Sequence, residues 1–195
     1  MRRNHDPADT ELAKDFTVRD YEKACKCHPP DRNAIAEAIR RRFTERYVAP
    51  AQAKSRHGFT MMAVSCLMIE ALESFRQGWE NSSNRSKSAF CFFFDTSKPF
   101  VAFLGHAQLF YTHIRCGILH QAETTGGWRI RRDRSPLFDT AELTINADRF
   151  LDALVEVLSG FCDGLKTADW DGPEWVRVRK KLNAIVRECL RQPLQ

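Results

Sequence analysis

One stretch of the sequence, from Phe59 to Trp79, constrains the fold more than any other, because it is apolar on more than one side of any helix that it forms. A surface helix buries a single stripe, whereas a helix that is apolar nearly all round must be contacted by several neighbours. The pattern therefore predicts a central helix at the core of a helical bundle. Its apolar positions are Met61, Met62, Val64, Leu67, Met68, Ile69, Leu72, Phe75 and Trp79.

Two carboxylates interrupt this apolar stretch, Glu70 and Glu73. A carboxylate among so many apolar residues either lies at a wet edge of the helix or pairs with a cation, since an unpaired buried charge is costly. We expect the wet edge for both residues, with Arg115 as the alternative partner.

Two amphipathic helices are predicted, one before the central helix in the sequence and one after it. The first follows the Pro29-Pro30 break, is capped by Asp31 or Asn33 and turns Arg40 to Arg42 outward. The second begins at Ser97 to Pro99 and is the clearest helix prediction in the chain. The inward stripe of the first is Ile35, Ile39, Phe43 and Tyr47, and that of the second is Phe100, Phe103, Leu104, Ala107, Phe110, Tyr111, Ile114 and Ile118.

The remaining segments complete the prediction of a mainly α-helical protein. A helix capped by Asn146 and a last helix beginning at Pro173 carry apolar residues at helical spacing, and residues 90–94 are predicted to be helical like their neighbours. A short helix near the N-terminus would be capped by Thr10. The expected fold is an up-and-down helical bundle over residues 57–195, preceded by an N-terminal helical extension over residues 1–56.

A small β-hairpin is predicted after the second amphipathic helix. Trp128 to Arg131 and Leu143 to Ile145 are β-prone and are separated by a turn at Ser135-Pro136. Alternation along the first strand would place Arg129 and Arg131 on one side. They are therefore candidates for binding backbone phosphates, and an exposed basic hairpin without a ligand is the alternative.

Charge and cysteine content narrow the class of protein. The net charge of +5 is modest, but the basic residues are bunched, and bunched cations either attract polyanions such as RNA or form solvated helix faces. Seven cysteines, mostly within apolar patterns, favour a reducing cytoplasm. No apolar region follows the charged N-terminus, and the most apolar run, Phe59 to Ile69, is too short to span a bilayer, so no membrane association is expected.

A metal site is not expected. Cys25, Cys27 and His28 have no second ligand pair at zinc-binding spacing. His106, His113 and His120 recur every seven residues and would lie about 10 Å apart along a helix, too far to share one ion. We expect His106 and His113 to be partly buried, hydrogen-bonded histidines.

Arg115 and His120 form the candidate catalytic pair. Five residues on an ideal helix place them about 140° apart, so they share a face only if the helix is distorted near Gly117 or a two-fold dimer brings both copies together. A histidine can move the protons of the 2′-hydroxyl and the 5′-oxygen, and an arginine can hold the phosphate. Such a pair suits metal-independent RNA cleavage without a cofactor, and DNA, which lacks the 2′-hydroxyl, would be spared.

The stretch Arg115-Cys-Gly-Ile-Leu-His120 resembles the Arg-x4–6-His signature of the HEPN (higher eukaryotes and prokaryotes nucleotide-binding) domains. The resemblance covers roughly Phe59 to Leu165 and is specific around this motif. It implies a helical bundle that dimerises and a metal-independent endoribonuclease of a bacterial toxin or anti-phage defence system. The implied partners are RNA, a second copy of the chain and an inhibitor or antitoxin protein.

Four further residues near the motif are candidates for substrate binding: Gln121, Glu123, Arg129 and Arg131. Two positions depart from the pattern of many active family members, which carry Asn, Asp or His where this chain has Cys116, and Tyr where it has Ala122. The alternative hypothesis is therefore a non-catalytic HEPN-like module that binds a nucleotide, an RNA or a partner protein.

Overall fold

The computed structural model describes residues 6–52, 57–133 and 136–191, and within them the chain is mainly helical with two small β-sheets. The α-helices are α1 (Val18–Lys26), α2 (Arg32–Phe43), α3 (Ala49–Ala51), α4 (Gly58–Gln77), α5 (Ser86–Thr96), α6 (Ala107–Phe110), α7 (Gly117–Gln121), α8 (Ala147–Thr167) and α9 (Pro173–Leu190). The strands are β1 (Glu11–Ala13), β2 (Phe16–Thr17), β3 (Arg129–Arg131), β4 (Phe138–Asp139) and β5 (Thr144–Asn146). Two 3₁₀ segments (Pro7–Asp9 and Lys98–Phe103) and two π-helical segments (Thr44–Val48 and Tyr111–Cys116) complete the described elements.

Helix α4 lies at the centre, as its apolar pattern predicts. It packs against α5, α8 and α9, and its buried residues lie on several faces of the helix. It ends at Gly78, whose φ of +66° is a left-handed conformation that favours glycine. The central-helix prediction is confirmed.

The prediction for the two carboxylates of α4 is wrong. Glu73 is fully buried and accepts hydrogen bonds from Arg76 Nη1 at 2.9 Å and from Gln77 Nε2 at 3.2 Å. Glu70 is also buried and pairs with Arg115. Each carboxylate pairs with an arginine, Glu73 with Arg76 and Glu70 with Arg115, which offsets the cost of burying its charge.

Helix α4 is also the one described helix that is long and apolar enough to cross a membrane by length and composition alone. It has 20 residues, so the apolar segment is longer than the run from Phe59 to Ile69. However, 61% of its most apolar window is buried inside the protein. Its apolar surface therefore serves the core, which is compatible with a soluble protein.

The N-terminal segment forms a two-stranded sheet before its first helix. β1 pairs with β2 in antiparallel fashion, which buries Leu12 and Phe16. The predicted cap at Thr10 is wrong: Thr17 caps α1, in a capping box with Asp20. β1 and β2 replace the first turns of the helix that was predicted to follow Thr10. Leu12 and Phe16 are buried in the core from these extended segments.

Helix α2 largely follows its prediction. Asp31 caps it by accepting a hydrogen bond from the main-chain N–H of Ala34 at 2.9 Å, and Ile35, Ile39 and Phe43 are buried. The helix packs along α8, and the Phe43 ring lies 5.5 Å from that of Phe75 in α4. The N-terminal segment and the bundle thus share one core.

The outward orientation predicted for Arg40 to Arg42 is wrong for Arg42. Its Nη1 donates a hydrogen bond to the main-chain oxygen of Leu12, so this side chain turns toward β1. Arg40 reaches Asp163 of α8 at 2.7 Å. The β1–β2 hairpin, which the sequence pattern did not predict, supplies the acceptor for Arg42.

Phenylalanine rings fill the core between α5, α6 and α8. Residues 90–94 are helical, as predicted, and lie in α5. Phe94 stacks on Phe103 at 4.8 Å, and Phe110 stacks on Phe150 at 5.5 Å. These contacts tie the helix of the candidate motif to α8.

The long helix predicted from Ser97 to Ile118 is interrupted. A 3₁₀ segment ends at Phe103, and Gly105 adopts a φ of +78° before α6 begins at Ala107. Leu104, placed on the inward stripe by its spacing, is 50% exposed at this break. The apolar residues keep helical spacing on both sides of Gly105, so the sequence pattern does not reveal the break.

The second sheet differs from the predicted hairpin. β5 lies between β3 and β4, and it pairs parallel to β3, with Ile130 opposite Ile145, and antiparallel to β4. The connection from residue 132 to 143 is long enough to return the chain to the same end of the sheet, as parallel pairing requires. The predicted turn falls on Ser135, outside the described residues.

The two C-terminal helices are confirmed. The side chain of Asn146 caps α8 by accepting a hydrogen bond from the main-chain N–H of Arg149 at 3.0 Å. Pro173 begins α9, and Trp175 is fully buried with its Nε1 donating to the main-chain oxygen of Leu165 at 2.9 Å. This bond joins the start of α9 to the end of α8.

Candidate functional site

The candidate pair lies on a helix with an irregular centre. Residues 107–121, called here the motif helix, consist of α6, the π-helical segment Tyr111–Cys116 and α7. A π-helical segment is wider than an α-helix and is frequent at functional sites. The angle of an undistorted helix therefore does not apply to Arg115, which lies inside this segment.

Gly117 allows the chain that follows the helix to fold back onto it. A Cβ atom at this position would lie 2.5 Å from the main-chain oxygen of Glu123, which is closer than real contacts. The main-chain N–H of Glu123 donates to the oxygen of Gly117, and Ala122 adopts a φ of +54° at the reversal. The sequence singled out Gly117 as a site of distortion, and its role is to admit the returning loop.

The side chain of Arg115 is held in place by α4. Its Nε donates to Glu70 Oε1 at 2.8 Å, and its guanidinium lies 5.7 Å from the centre of the Tyr111 ring. Burial opposes the charge of Arg115, but the hydrogen bond and the charge of Glu70 outweigh this effect and raise the pKa of Arg115. Arg115 is therefore a fixed cation with 17% of its side chain exposed.

Glu70 orients this arginine with both of its oxygens engaged. Oε1 accepts from Arg115, and Oε2 accepts from the Ser86 hydroxyl at 2.7 Å. Ser86 is the first residue of α5, so the carboxylate joins α4, α5 and the motif helix. Sequence analysis named the Glu70–Arg115 pair as the alternative to a wet edge, and the structure has this alternative.

Three further groups surround the guanidinium: Tyr111, Cys66 and Cys116. Burial raises the pKa of the Tyr111 hydroxyl, with a further contribution from the Cys116 thiol and an opposing one from Arg115. Burial also raises the pKa of the Cys66 thiol. Tyr111 and Ser86 were missed as site residues, whereas Glu70 was named only as the alternative partner of Arg115. The spacing of Tyr111 and Arg115, one helical turn apart, is a signal that could have found Tyr111.

His120 lies in the last turn of the motif helix and is exposed. No hydrogen bond of its imidazole to another described residue is present, and none joins it to Arg115. One chain thus presents a fixed arginine and an exposed histidine without direct contact between them.

The loop after the motif helix is fastened by His113 rather than by the candidate residues. His113 Nδ1 lies 2.9 Å from the Thr125 hydroxyl, and the main-chain N–H of Thr125 donates to the oxygen of His113 at 3.0 Å. Gly126 packs so closely that a Cβ atom there would lie 2.5 Å from this Nδ1. The predicted structural role of His113 is consistent with these contacts, and His106 likewise contacts Phe138.

Of the four predicted substrate-binding residues, Gln121 ends the motif helix, Glu123 lies on this loop, and Arg129 and Arg131 lie on β3. Gln121 and Glu123 are exposed, and Glu123 Oε1 accepts from the main-chain N–H of Thr124. Arg129 and Arg131 are exposed on one side of β3, as alternation predicts. Acidic residues lie beside both arginines, with Glu142 at 3.6 Å from Arg129 and Asp133 at 3.5 Å from Arg131.

Among residues 6–52, 57–133 and 136–191, no group of three or more His, Cys, Asp or Glu side chains could hold a metal ion. Neither a protein-family model, nor a curated protein, nor a solved structure matches this chain. The account of the site therefore stands on its geometry.

Proposed function

We propose that the protein is a HEPN-type, metal-independent endoribonuclease that works as a homodimer in the cytoplasm, in a bacterial toxin or anti-phage defence setting. The observation that carries the proposal is the fixed guanidinium of Arg115 on the same irregular helix as the exposed imidazole of His120. Glu70 accepts a hydrogen bond from the Nε–H of Arg115. In the described part of the chain, no oxygen accepts a hydrogen bond from the Nη N–H groups of Arg115, so these groups are available to a phosphate.

In this mechanism the 2′-hydroxyl of RNA attacks the adjacent phosphorus. His120 takes the proton of the 2′-hydroxyl or protonates the leaving 5′-oxygen, a contribution of about 10²- to 10⁴-fold for a positioned acid or base. Arg115 donates from its Nη groups to the equatorial oxygens and stabilises the additional charge of the five-coordinate phosphorus. The pairing with Glu70 orients these donors in advance.

Arg115 and His120 make no direct contact within one chain, and a second subunit would bring an arginine and a histidine together. Leu109 and Leu119 of the motif helix are 48% and 41% exposed, which suits a helix that packs against its own copy. A two-fold axis beside this helix would bring both Arg115–His120 pairs to one groove. Gln121, Glu123, Arg129 and Arg131 would border that groove and bind RNA, and a protein inhibitor or antitoxin would bind over it.

RNA cleavage in EDTA by purified variants tests the proposal. We expect Arg115→Ala and His120→Ala each to abolish cleavage, while Arg177→Ala, an exposed arginine on α9, cleaves like the wild type. Circular dichroism establishes that each variant is folded. Unchanged cleavage by both Arg115→Ala and His120→Ala would overturn the assignment.

A second candidate is a non-catalytic HEPN-like module that binds a nucleotide, an RNA or a partner protein. Cys116 favours it, because this cysteine stands where many active family members carry Asn, Asp or His. This candidate predicts ligand or partner binding, and no cleavage of any RNA by the wild type.

A further inference from the structure

A cleft of about 340 Å³ lies between α2, α4 and α9, and Glu70 is among the α4 residues that line it. We call it the α2–α9 cleft. Its walls include Arg42, Tyr47, Leu67, Ser82, Lys181 and Ile185. Its volume lies within the range that holds small molecules in proteins, about 300–1,000 Å³.

Two cations line this cleft without an acidic partner. Arg42 Nη1 donates to the main-chain oxygen of Leu12, and Lys181 Nζ donates to that of Glu80 at 3.0 Å. Both acceptors are neutral, and no carboxylate of the described residues lies within 4.0 Å of either cation. By contrast, Arg76 and Arg115, which are also partly buried, each have a carboxylate partner.

The surroundings of these two cations disfavour their charges. Burial lowers the pKa of Arg42 and the charge of Arg46 lowers it further, and these effects outweigh the opposing influence of Cys189, Tyr47 and Glu45. Burial also lowers the pKa of Lys181, and Arg42 adds to that effect. An anion between Arg42 and Lys181 would relieve both effects, because it supplies an opposite charge in direct contact with the two cations.

The carboxylate that lines the cleft does not neutralise them. Glu70 lines the cleft, but its two oxygens accept from Arg115 and Ser86. The remaining wall contains Ser74, Ser82 and several apolar or aromatic side chains. Among these, Leu67 is 45% exposed, and Tyr47 and Ile185 are half-buried. The cleft thus combines two unpaired cations with a surface that suits a flat or apolar group.

We propose that the α2–α9 cleft binds a small phosphate ester, with its phosphate between Arg42 and Lys181 and its organic group against Leu67, Tyr47 and Ile185. Arg42 presents N–H donors in a planar fork that matches phosphate oxygens, and Lys181 adds a compact charge. The binding site is independent of the endoribonuclease proposal, because neither cation belongs to the Arg115–His120 pair.

Isothermal titration calorimetry with phenyl phosphate, inorganic phosphate and phenol tests this site. We expect phenyl phosphate to bind at millimolar concentration or below and phenol not to bind. Lys181→Gln should weaken binding about tenfold or more, as expected for the loss of a charged hydrogen bond. Lys180→Gln, an exposed neighbour on α9, is the matched control and should bind like the wild type. Lys181→Gln should fold, since it removes a charge that burial disfavours.

Each outcome decides a part of the proposal. If inorganic phosphate binds as tightly as phenyl phosphate, the phosphate site stands and free phosphate is its source. No binding of either phosphate, or equal binding by Lys181→Gln and the wild type, would overturn the proposal. It would also be overturned if a short RNA bound through Lys181 while phenyl phosphate did not bind. Arg42→Gln, checked by circular dichroism, should give the same loss as Lys181→Gln.

Discussion

Removing the carboxylate of Glu70 should destabilise the protein far more than removing an exposed carboxylate. In Glu70→Ala the guanidinium of Arg115 stays buried between α4 and the motif helix without its opposite charge, and the Ser86 hydroxyl loses its acceptor. Breaking a buried ion pair by deleting one partner costs about 3–5 kcal/mol.

Two features of the structure reduce this figure. The side chains of Arg115 and Glu70 keep 17% and 11% of their surface exposed, and the Tyr111 ring still faces the cation at 5.7 Å. Partial hydration and the cation–π contact each offset part of the loss. We therefore expect the free energy of unfolding to fall by about 2–3 kcal/mol.

Urea denaturation followed by circular dichroism measures this change. Glu80→Ala is the matched control, because its partner Arg187 lies in an exposed pair, and it should cost no more than about 1 kcal/mol. The double variant Glu70→Ala, Arg115→Met should be less destabilised than the sum of the single variants, because neither charge is then left unpaired. A loss for Glu70→Ala no larger than that for Glu80→Ala, or strict additivity, would refute the reasoning.

Three further predictions follow, two for the motif helix and one for the start of α1. Gly117→Ala should lower the free energy of unfolding by about 2 kcal/mol or more, because the added Cβ meets a main-chain oxygen. Gly160→Ala is the control: no atom lies within contact distance of the added Cβ, so the free energy of unfolding should rise by up to about 1 kcal/mol. Urea denaturation measures both changes. His120→Ala should leave the thermal midpoint unchanged, since the side chain is exposed, and a fall of several degrees would indicate a structural role. Hydrogen bonds with Thr17 lower the pKa of Asp20. The Asp20 carboxylate therefore stabilises the fold above the ordinary pKa of an aspartate, and this stabilisation is lost as the pH falls through the lowered pKa. Thr17→Val should weaken this loss of stability in acid, as measured by urea denaturation at several pH values.

The helices could largely be predicted from the sequence because apolar spacing reports burial directly. Ile35 and Phe43 of α2 are buried at the positions that their spacing predicts. Spacing fails where the backbone changes course without changing the pattern. Gly105 breaks the predicted long helix, yet Phe103 and Ala107 on its two sides are both buried, so the periodic pattern passes over the break.

The pairing of the strands could not be predicted for a different reason. Two β-prone segments near each other in sequence favour a hairpin, but the connection between β3 and β5 also contains β4, a strand of two residues. β4 pairs with one edge of β5, and β3 takes the other edge. So short a strand gives no periodic signal, and without it the direction of β3 relative to β5 is undetermined.

The sequence alone named the two residues of the candidate site, but it left the contacts that hold Arg115 open. Arg115 and His120 follow from a motif within one segment of the chain. The contact of Glu70 with Arg115 joins residues 45 positions apart, and that of Ser86 with Glu70 joins two helices. Such contacts depend on how α4, α5 and the motif helix pack, which local spacing does not determine. The π-helical segment at Tyr111–Cys116 likewise depends on this packing.

The ends of the RNA products test the central claim most directly. Wild-type protein is incubated in EDTA with a labelled RNA and with the same RNA carrying 2′-deoxy substitutions at the cleaved positions. The account predicts cleavage of the unsubstituted RNA to products with 2′,3′-cyclic phosphate ends, and none at the substituted positions. Cleavage that leaves 3′-hydroxyl ends, or cleavage at the 2′-deoxy positions, would contradict it.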